Sequence, residues 1–392
     1  MLSLLIVFAV ATAASLVLTP LARRCALRFH LLDAPDGQRK RQRQAVPLGG
    51  GVALFLSLAI GCGAAGGIAS PFPFVLLTAA GLLSLLGCAD DRWALKPRWK
   101  LLGQMAATIP LLWTGDWPRH VLLAGHEFDI GAWGLPLTWL WLLAGINALN
   151  FLDGIDGLCG LGGLALTSTA AALAAGVGQF HLLPTAAALA GAICGVLAFN
   201  LPPARIYLGD SGSMVIGLCV AYLAWRAPAP LPGTCELTCS VTLLAVPLID
   251  VLLAVLRRGL RGEAVWSPDR GHLHHVLLER GLTLRQSLGL LSGLCLATGG
   301  LAWAASFWQQ DAIAWIALPT LFAGLVHYRV CGHREWSLTK VAAWQGFAAI
   351  GIPRLLAPLS PSPHSQRGAL EANLPHDILP LAANRAPLRD AA

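Results

Sequence analysis

Acidic residues stand in short, glycine-rich clusters along this chain. Asp90 and Asp91 are adjacent. Asn150, Asp153 and Asp156 share the stretch Asn147-Ala-Leu-Asn-Phe-Leu-Asp-Gly-Ile-Asp-Gly157, and Asp210 lies in Gly209-Asp-Ser-Gly-Ser213. His272, His274 and His275 close the series, and cations gather in Arg39-Lys-Arg-Gln-Arg43 and between Lys96 and Lys100. Carboxylates, cations and glycines together suit a phosphate ester held through a divalent metal. Mg2+ takes oxygen ligands, usually one or two carboxylates, with substrate phosphates completing its shell. Lys and Arg neutralise the remaining phosphate charge, and Gly lets backbone approach a ligand.

Each cluster also has a plainer reading. Asp90–Asp91 reads as a solvated boundary pair, Asp153 and Asp156 as turn residues with a Gly after each, and Asp210 as an ordinary turn. The basic run reads as a topology anchor. Adjacent carboxylates do not make a glycosidase pair, which must flank the scissile bond. The Gly-Asp-Ser-Gly tetrapeptide of serine proteases sits here among apolar segments. His272-Leu-His-His275 lacks the i,i+4 pair and cysteines of familiar zinc motifs. Gly61-Cys-Gly-Ala-Ala-Gly66 has GxGxxG spacing with no strand before it, so helix packing accounts for it better. What separates these readings is where the residues fall on the elements that carry them.

Those elements are membrane helices. Of 392 residues, 56% are hydrophobic and only 12% charged, with mean hydropathy +0.65. A soluble domain is about 25% charged, so soluble multidomain and disordered readings are excluded. The formal charge of +7 fits basic cytoplasmic loops rather than nucleic acid. Ten cysteines form no CxxC pair, which argues against a zinc ribbon or a thioredoxin-type site. No basic residues precede the first apolar run, so it reads as a span rather than a cleaved signal.

A crossing helix needs about 20 mostly apolar residues. Eleven segments qualify: roughly 2–21, 46–68, 71–88, 101–115, 133–149, 160–177, 182–200, 212–226, 237–256, 286–305 and 312–330. With the N-terminus outside, the inner loops hold eighteen Lys and Arg and the outer loops two, the bias expected of cytoplasmic loops. The fold class is an all-α polytopic membrane protein of about eleven transmembrane helices, N-terminus out and C-terminus in. The multi-span domain covers 1–331. The tail 332–392 is cytoplasmic, with an interfacial helix at 338–356 and a disordered remainder. All the acidic clusters and the histidines then fall on the inner face, although the topology was drawn from hydropathy and Lys/Arg alone. Ionisable groups at a membrane boundary are functional candidates by default.

Five stretches in order resemble the polyprenyl-phosphate N-acetylhexosamine-1-phosphate transferases, the MraY/WecA-type members of glycosyltransferase family 4. They are Asp33 to Gly51; Asp90-Asp-Arg-Trp-Ala-Leu-Lys-Pro-Arg-Trp-Lys-Leu-Leu-Gly-Gln104; Asn147 to Leu158; Phe199 to Ser213; and Pro247-Leu-Ile-Asp250 through Ser267-Pro-Asp-Arg-Gly-His-Leu-His-His275. The last resembles the WecA-type branch. The family usually has His where this chain has Gln42.

The resemblance implies transfer of a sugar-1-phosphate, GlcNAc-1-phosphate by default, from a UDP-N-acetylhexosamine to undecaprenyl phosphate. UMP is released and a lipid-linked envelope glycan of the O-antigen (lipopolysaccharide), common-antigen or teichoic-acid type begins. The alternatives are the phospho-MurNAc-pentapeptide transferase of peptidoglycan synthesis and a membrane transporter; a transporter would place its charges near the midplane of repeated halves. By resemblance, Asn150 and Asp210 hold Mg2+, with Mn2+ as the alternative ion. Asp90, Asp91 and Lys100 are catalytic: Lys100 holds a phosphate oxygen while Asp90 and Asp91 organise the metal and acceptor. Asp153, Asp156, Arg270, His272, His274 and His275 contact the nucleotide, sugar or diphosphate. Direct attack by the lipid phosphate is favoured over Asp91 as general base, because a phosphate monoester with second pKa about 6 is already mostly dianionic at neutral pH. The expected setting is the bacterial cytoplasmic membrane, as a homodimer without nucleic acid.

Overall fold

The structure is a computed structural model that describes residues 2–33, 45–66, 71–115, 117–260, 262–264, 267, 269 and 271–327. Gln42, the basic run 39–43, Arg270 and the tail 332–392 with its 338–356 segment lie outside the described residues.

A helix stands at each of the eleven hydropathic segments. They are α1 (Leu2–Arg28), α2 (Gly50–Ala64), α3 (Pro71–Trp93), α4 (Pro97–Trp113), α5 (Gly134–Leu152), α6 (Leu158–Val177), α7 (Leu183–Asn200), α8 (Asp210–Arg226), the pair α9 (Leu237–Leu243) and α10 (Ala245–Leu260), then, beyond the short α11 (Leu273–Glu279), α12 (Leu284–Trp308) and α13 (Ala312–His327). Among the described residues six helices are long and apolar enough to cross a membrane. The α9–α10 pair, bent by 79°, passes the same test as one broken segment and makes a seventh. The α2 helix and the apolar part of α13 are shorter, at 10–17 residues. The chain is a multi-pass helical membrane protein.

The α8 helix is the axis of the bundle: every residue from Ser211 to Arg226 is buried. A helix buried all round carries no amphipathic stripe. Its neighbours approach closely through small residues, as helices in lipid do. A Cβ on Gly145 of α5 would lie 2.4 Å from Ala221 Cβ, and one on Gly217 of α8 would lie 2.7 Å from Ile146 Cα. A Cβ on Gly87 of α3 would lie 2.3 Å from Ser211 Cα, which brings α3 onto the first turn of α8.

Two small sheets lie at opposite ends. Strands β1 (Leu32–Asp33) and β2 (Val46–Pro47) pair antiparallel. The segment leading into α8 is clamped beside them: Tyr207 N donates to Pro47 O at 2.8 Å, and Gly50 N and Gly51 N donate to Tyr207 O and Leu208 O at 3.0 and 2.9 Å. At the other end β3 (His120–Leu123) pairs antiparallel with β4 (His126–Asp129) and parallel with β5 (Thr234–Glu236). The segments before and after these strands, α4, α5 and α8, each direct the opposite terminus toward the acidic residues.

Candidate active site

Four helices bring their ends together around Lys100. Its Nζ lies 2.9 Å from Asp90 Oδ2 at the end of α3, 2.6 Å from Asp210 Oδ2 at the start of α8, and 3.1 Å from Asn150 Oδ1 at the end of α5. Pro97 opens α4 one turn earlier, where its missing N–H costs nothing. Asn150 is oriented by donating Nδ2 to Asp210 Oδ1 at 2.6 Å and to Ser213 Oγ at 2.8 Å. Asp90 is held by Leu95 N at 2.7 Å.

Asp91 performs a different task from its neighbour. Its Oδ1 accepts from Asp210 N at 2.9 Å and its Oδ2 from Ser211 N at 3.4 Å. It therefore caps the N-terminus of α8 from another helix, where the helix dipole favours an anion. Gly209 makes room: at φ +70°, a Cβ there would fall 2.5 Å from Asp91 Oδ2.

Beside this cluster opens a cavity of about 580 Å3. Of the residues singled out from the sequence, Asp91, Asp153, Asp156, Asp210 and His275 line it. Asp90, Lys100 and Asn150 do not line it: Lys100 and Asn150 hold Asp210, and Asp90 pairs with Lys100. His272 and His274 do not line the cavity; they are buried, 6% and 2% exposed. His272 Nδ1 pairs with Asp250 Oδ2 at 3.0 Å, and the His272 and His274 rings stack at 6.0 Å. Burial, with His275 and His272 close by, pushes the His274 imidazole down to about 3, so it is neutral at physiological pH.

Asp156 accepts from Ala204 N at 2.9 Å, tying the α5–α6 turn to the segment before α8. Asp153 makes no side-chain hydrogen bond or ion pair among the described residues. Burial raises its carboxyl well above the ordinary carboxylate range, and Asp210, Asp91 and Asp156 raise it further.

Asp33, Asn200 and Tyr207 also line the cavity and were not singled out as site residues, although all three lie in the quoted motifs. Asp250 is another such residue: read along the chain it is one polar residue in an apolar run. It is 1% exposed and fixes the start of α11, accepting from Leu273 N at 2.9 Å as well as meeting His272.

The donors at this site are oxygens. Among the described residues no three His, Cys, Asp or Glu side chains converge into a complete metal cage. That donor set suits Mg2+, which keeps waters and takes substrate phosphates, and does not suit zinc.

The helices α3, α4, α5 and α8, which carry this cluster, lie within the stretch that a family model matches. Residues 73–227 match the model described as glycosyl transferase family 4. Over that stretch the chain is similar to glycosyl transferase family 4. Curated proteins extend the likeness over most of the chain. The probable undecaprenyl-phosphate N-acetylglucosaminyl 1-phosphate transferase of Bacillus subtilis (strain 168) is 28% identical over 335 residues, 84% of this chain and 91% of its own. The undecaprenyl-phosphate alpha-N-acetylglucosaminyl 1-phosphate transferases of Salmonella typhi and Escherichia coli (strain K12) are 28% and 29% identical, over 82% and 81% of this chain and 88% of their own.

Proposed function

We propose that this chain is a glycosyl transferase family 4 member that transfers N-acetylglucosamine-1-phosphate from a UDP-sugar to undecaprenyl phosphate and releases UMP. The observation that carries this reading is the convergence of Lys100, Asp90, Asn150 and Asp210 beside a carboxylate-lined cavity at the helix ends. A water-soluble donor and a membrane-held acceptor can meet only at such a place. The names of the relatives point to the same acceptor and sugar.

Asp210 and Asn150 would hold Mg2+, which when bound supplies charge neutralisation at the diphosphate. The chain's own residues do the rest. Lys100 neutralises a phosphate oxygen while Asp90 holds its ammonium in place. Asp153, Asp156 and His275 line the donor's space, with Tyr207 offering an aromatic face to the base. Transfer of this kind is positioning and electrostatics rather than strong base chemistry. An oxygen of the acceptor phosphate attacks the sugar-linked phosphorus of the donor, and the bond from that phosphorus to UMP breaks. Asp91 is engaged at both oxygens with the α8 N-terminus, which supports direct attack over Asp91 as a base.

The same reading includes eleven crossings with the N-terminus outside, supported by the Lys and Arg bias of the loops. It includes a bacterial cytoplasmic-membrane location and, from the family resemblance, a homodimer. The product begins a lipid-linked envelope glycan.

The test is UMP release by the purified protein in detergent, with undecaprenyl phosphate, Mg2+, a panel of UDP-N-acetylhexosamines and an EDTA control. Release that requires both lipid and Mg2+, fastest with UDP-GlcNAc, is expected. Folded protein that releases no UMP with any donor would sink the proposal.

A further inference from the structure

Beneath the Lys100 cluster three of its four helices, α4, α5 and α8, meet a second time. Gln104 lies one turn along α4 from Lys100, Asn147 one turn back along α5 from Asn150, and Met214 one turn along α8 from Asp210. Side chains three or four residues apart share a helix face, so the two triads stack. Asn147 Nδ2 donates to Gln104 Oε1 at 2.8 Å and to Leu143 O at 2.8 Å. Gln104 Nε2 donates back to Asn147 Oδ1 at 3.4 Å and lies 3.3 Å from Met214 Sδ. A third rung follows one turn further along α4, where Trp139 Nε1 donates to Thr108 Oγ1 at 2.9 Å.

Gln104 is fully buried, and neither amide lines the cavity. Apolar side chains in lipid discriminate poorly between neighbouring helix registers, because every register offers them similar surroundings. Paired amides discriminate well, because a slip leaves both without partners in an apolar setting. One residue of slip moves a helix by about 1.5 Å and turns it by about 100°. That would carry the Lys100 ammonium away from Asp210.

We infer that the Gln104–Asn147 amide pair sets the register of α4 on α5 and α8 that delivers Lys100 to Asn150 and Asp210. Gln104 and Asn147 are positioning residues for the transfer and touch no substrate. The inference rests on the proposed role of Lys100, Asn150 and Asp210.

The test uses the full chain with Gln104→Met, Asn147→Leu, the double apolar variant and the reciprocal swap Gln104→Asn with Asn147→Gln. Two properties are read: kcat and donor KM, and the rate at which a water-soluble amine-acylating reagent labels Lys100, followed by peptide mass spectrometry. Each single variant is expected to lower kcat by about tenfold to a hundredfold, the cost of roughly 1 Å of misplacement, with donor KM within about threefold. Labelling of Lys100 rises by about tenfold once its partners drift away, in line with the lost hold on the ammonium. The double variant costs no more than the worse single, because both remove one shared interaction. The swap restores most of kcat and the protection of Lys100.

Cooperatively melting single variants with unchanged Lys100 labelling and kcat within about threefold would overturn the inference, as would single effects that multiply in the double. Should an apolar single fail to fold, the swap decides: a folded swap with Lys100 freely labelled overturns it. If the unaltered protein releases no UMP, the reaction reading fails while the labelling comparison still judges the register.

Discussion

Asp153 and Asp269 lie at the same end of the bundle, and their surroundings push their protons in opposite directions. Burial raises Asp153 and the carboxylates of Asp210, Asp91 and Asp156 raise it further. Burial also pushes Asp269 up, but Arg257 and Gly271 N outweigh it and leave its carboxyl below the ordinary range. The Asp269 cluster is closed. Arg257 Nε and its terminal nitrogen donate to Asp269 Oδ2 at 2.9 and 2.6 Å, and the two side chains are 2% and 1% exposed. The cavity cluster is open: Asp91, Asp153, Asp156 and Asp210 face one space, while Lys100 is shared between Asp90 and Asp210. A cluster that only holds structure together balances its charge. One that keeps carboxylates crowded around a cavity is built to receive positive charge.

The largest expected effect belongs to the open cluster. Asp210→Ala should lower kcat by about a thousandfold, in the range seen when a preorganised electrostatic partner is removed, while the protein still inserts and melts cooperatively. UMP release across a Mg2+ titration checks this; near-normal turnover at low Mg2+ would break the metal assignment and with it the contrast.

The closed cluster should fail through stability instead. Arg257→Met takes the guanidinium away from the buried Asp269 carboxylate and should cost about 3 kcal/mol, with a smaller change in kcat per folded molecule. Adding Asp269→Leu should return most of the loss. A double variant as unstable as the single, followed by thermal melts, would show that the Arg257–Asp269 ion pair is not what the single variant loses.

The smallest effect sharpens the sign. Asp153 binds its proton at higher pH in the folded chain than in the unfolded one. The folded state therefore loses stability as pH rises from the ordinary carboxylate range through the raised value. Asp269 has the opposite sign: its contribution is present above its unfolded value and is lost as pH falls through its lowered one. Asp153→Asn should raise the melting temperature near neutral pH by roughly 2–4 °C, the shift from about 1 kcal/mol in a larger domain. It should also slow turnover. The gap to the unaltered protein should narrow between about pH 8 and about pH 5, and narrow again when Mg2+ is added. An equal gap at both pH values would mean that Asp153 is not held against its neighbours.

Much of this was legible in the chain itself. Hydropathy marked the helices, six of them long and apolar enough to cross a membrane among the described residues, because some twenty apolar residues leave a backbone in lipid no other way to satisfy its hydrogen bonds. The short motifs marked Asp90, Lys100, Asn150 and Asp210, because glycines and charges beside apolar runs are costly unless used. Other features left no such trace. The three-stranded sheet draws on residues 120–129 and 234–236, which lie more than a hundred positions apart. The break between α9 and α10 falls inside one apolar run. The three histidines look alike in His272-Leu-His-His275, yet only His275 reaches the cavity.

By itself the sequence determined that this is a helical membrane protein with acidic and basic residues gathered beside the ends of its apolar segments, since composition and local residue type decide both. Only the tertiary structure decided which carboxylate caps α8, which one meets Lys100, and which amides lie beneath them. Those assignments depend on the rotation and register of helices brought together from distant parts of the chain. In an apolar bundle they are selected by glycine-sized gaps and paired polar groups rather than by any periodicity along the chain.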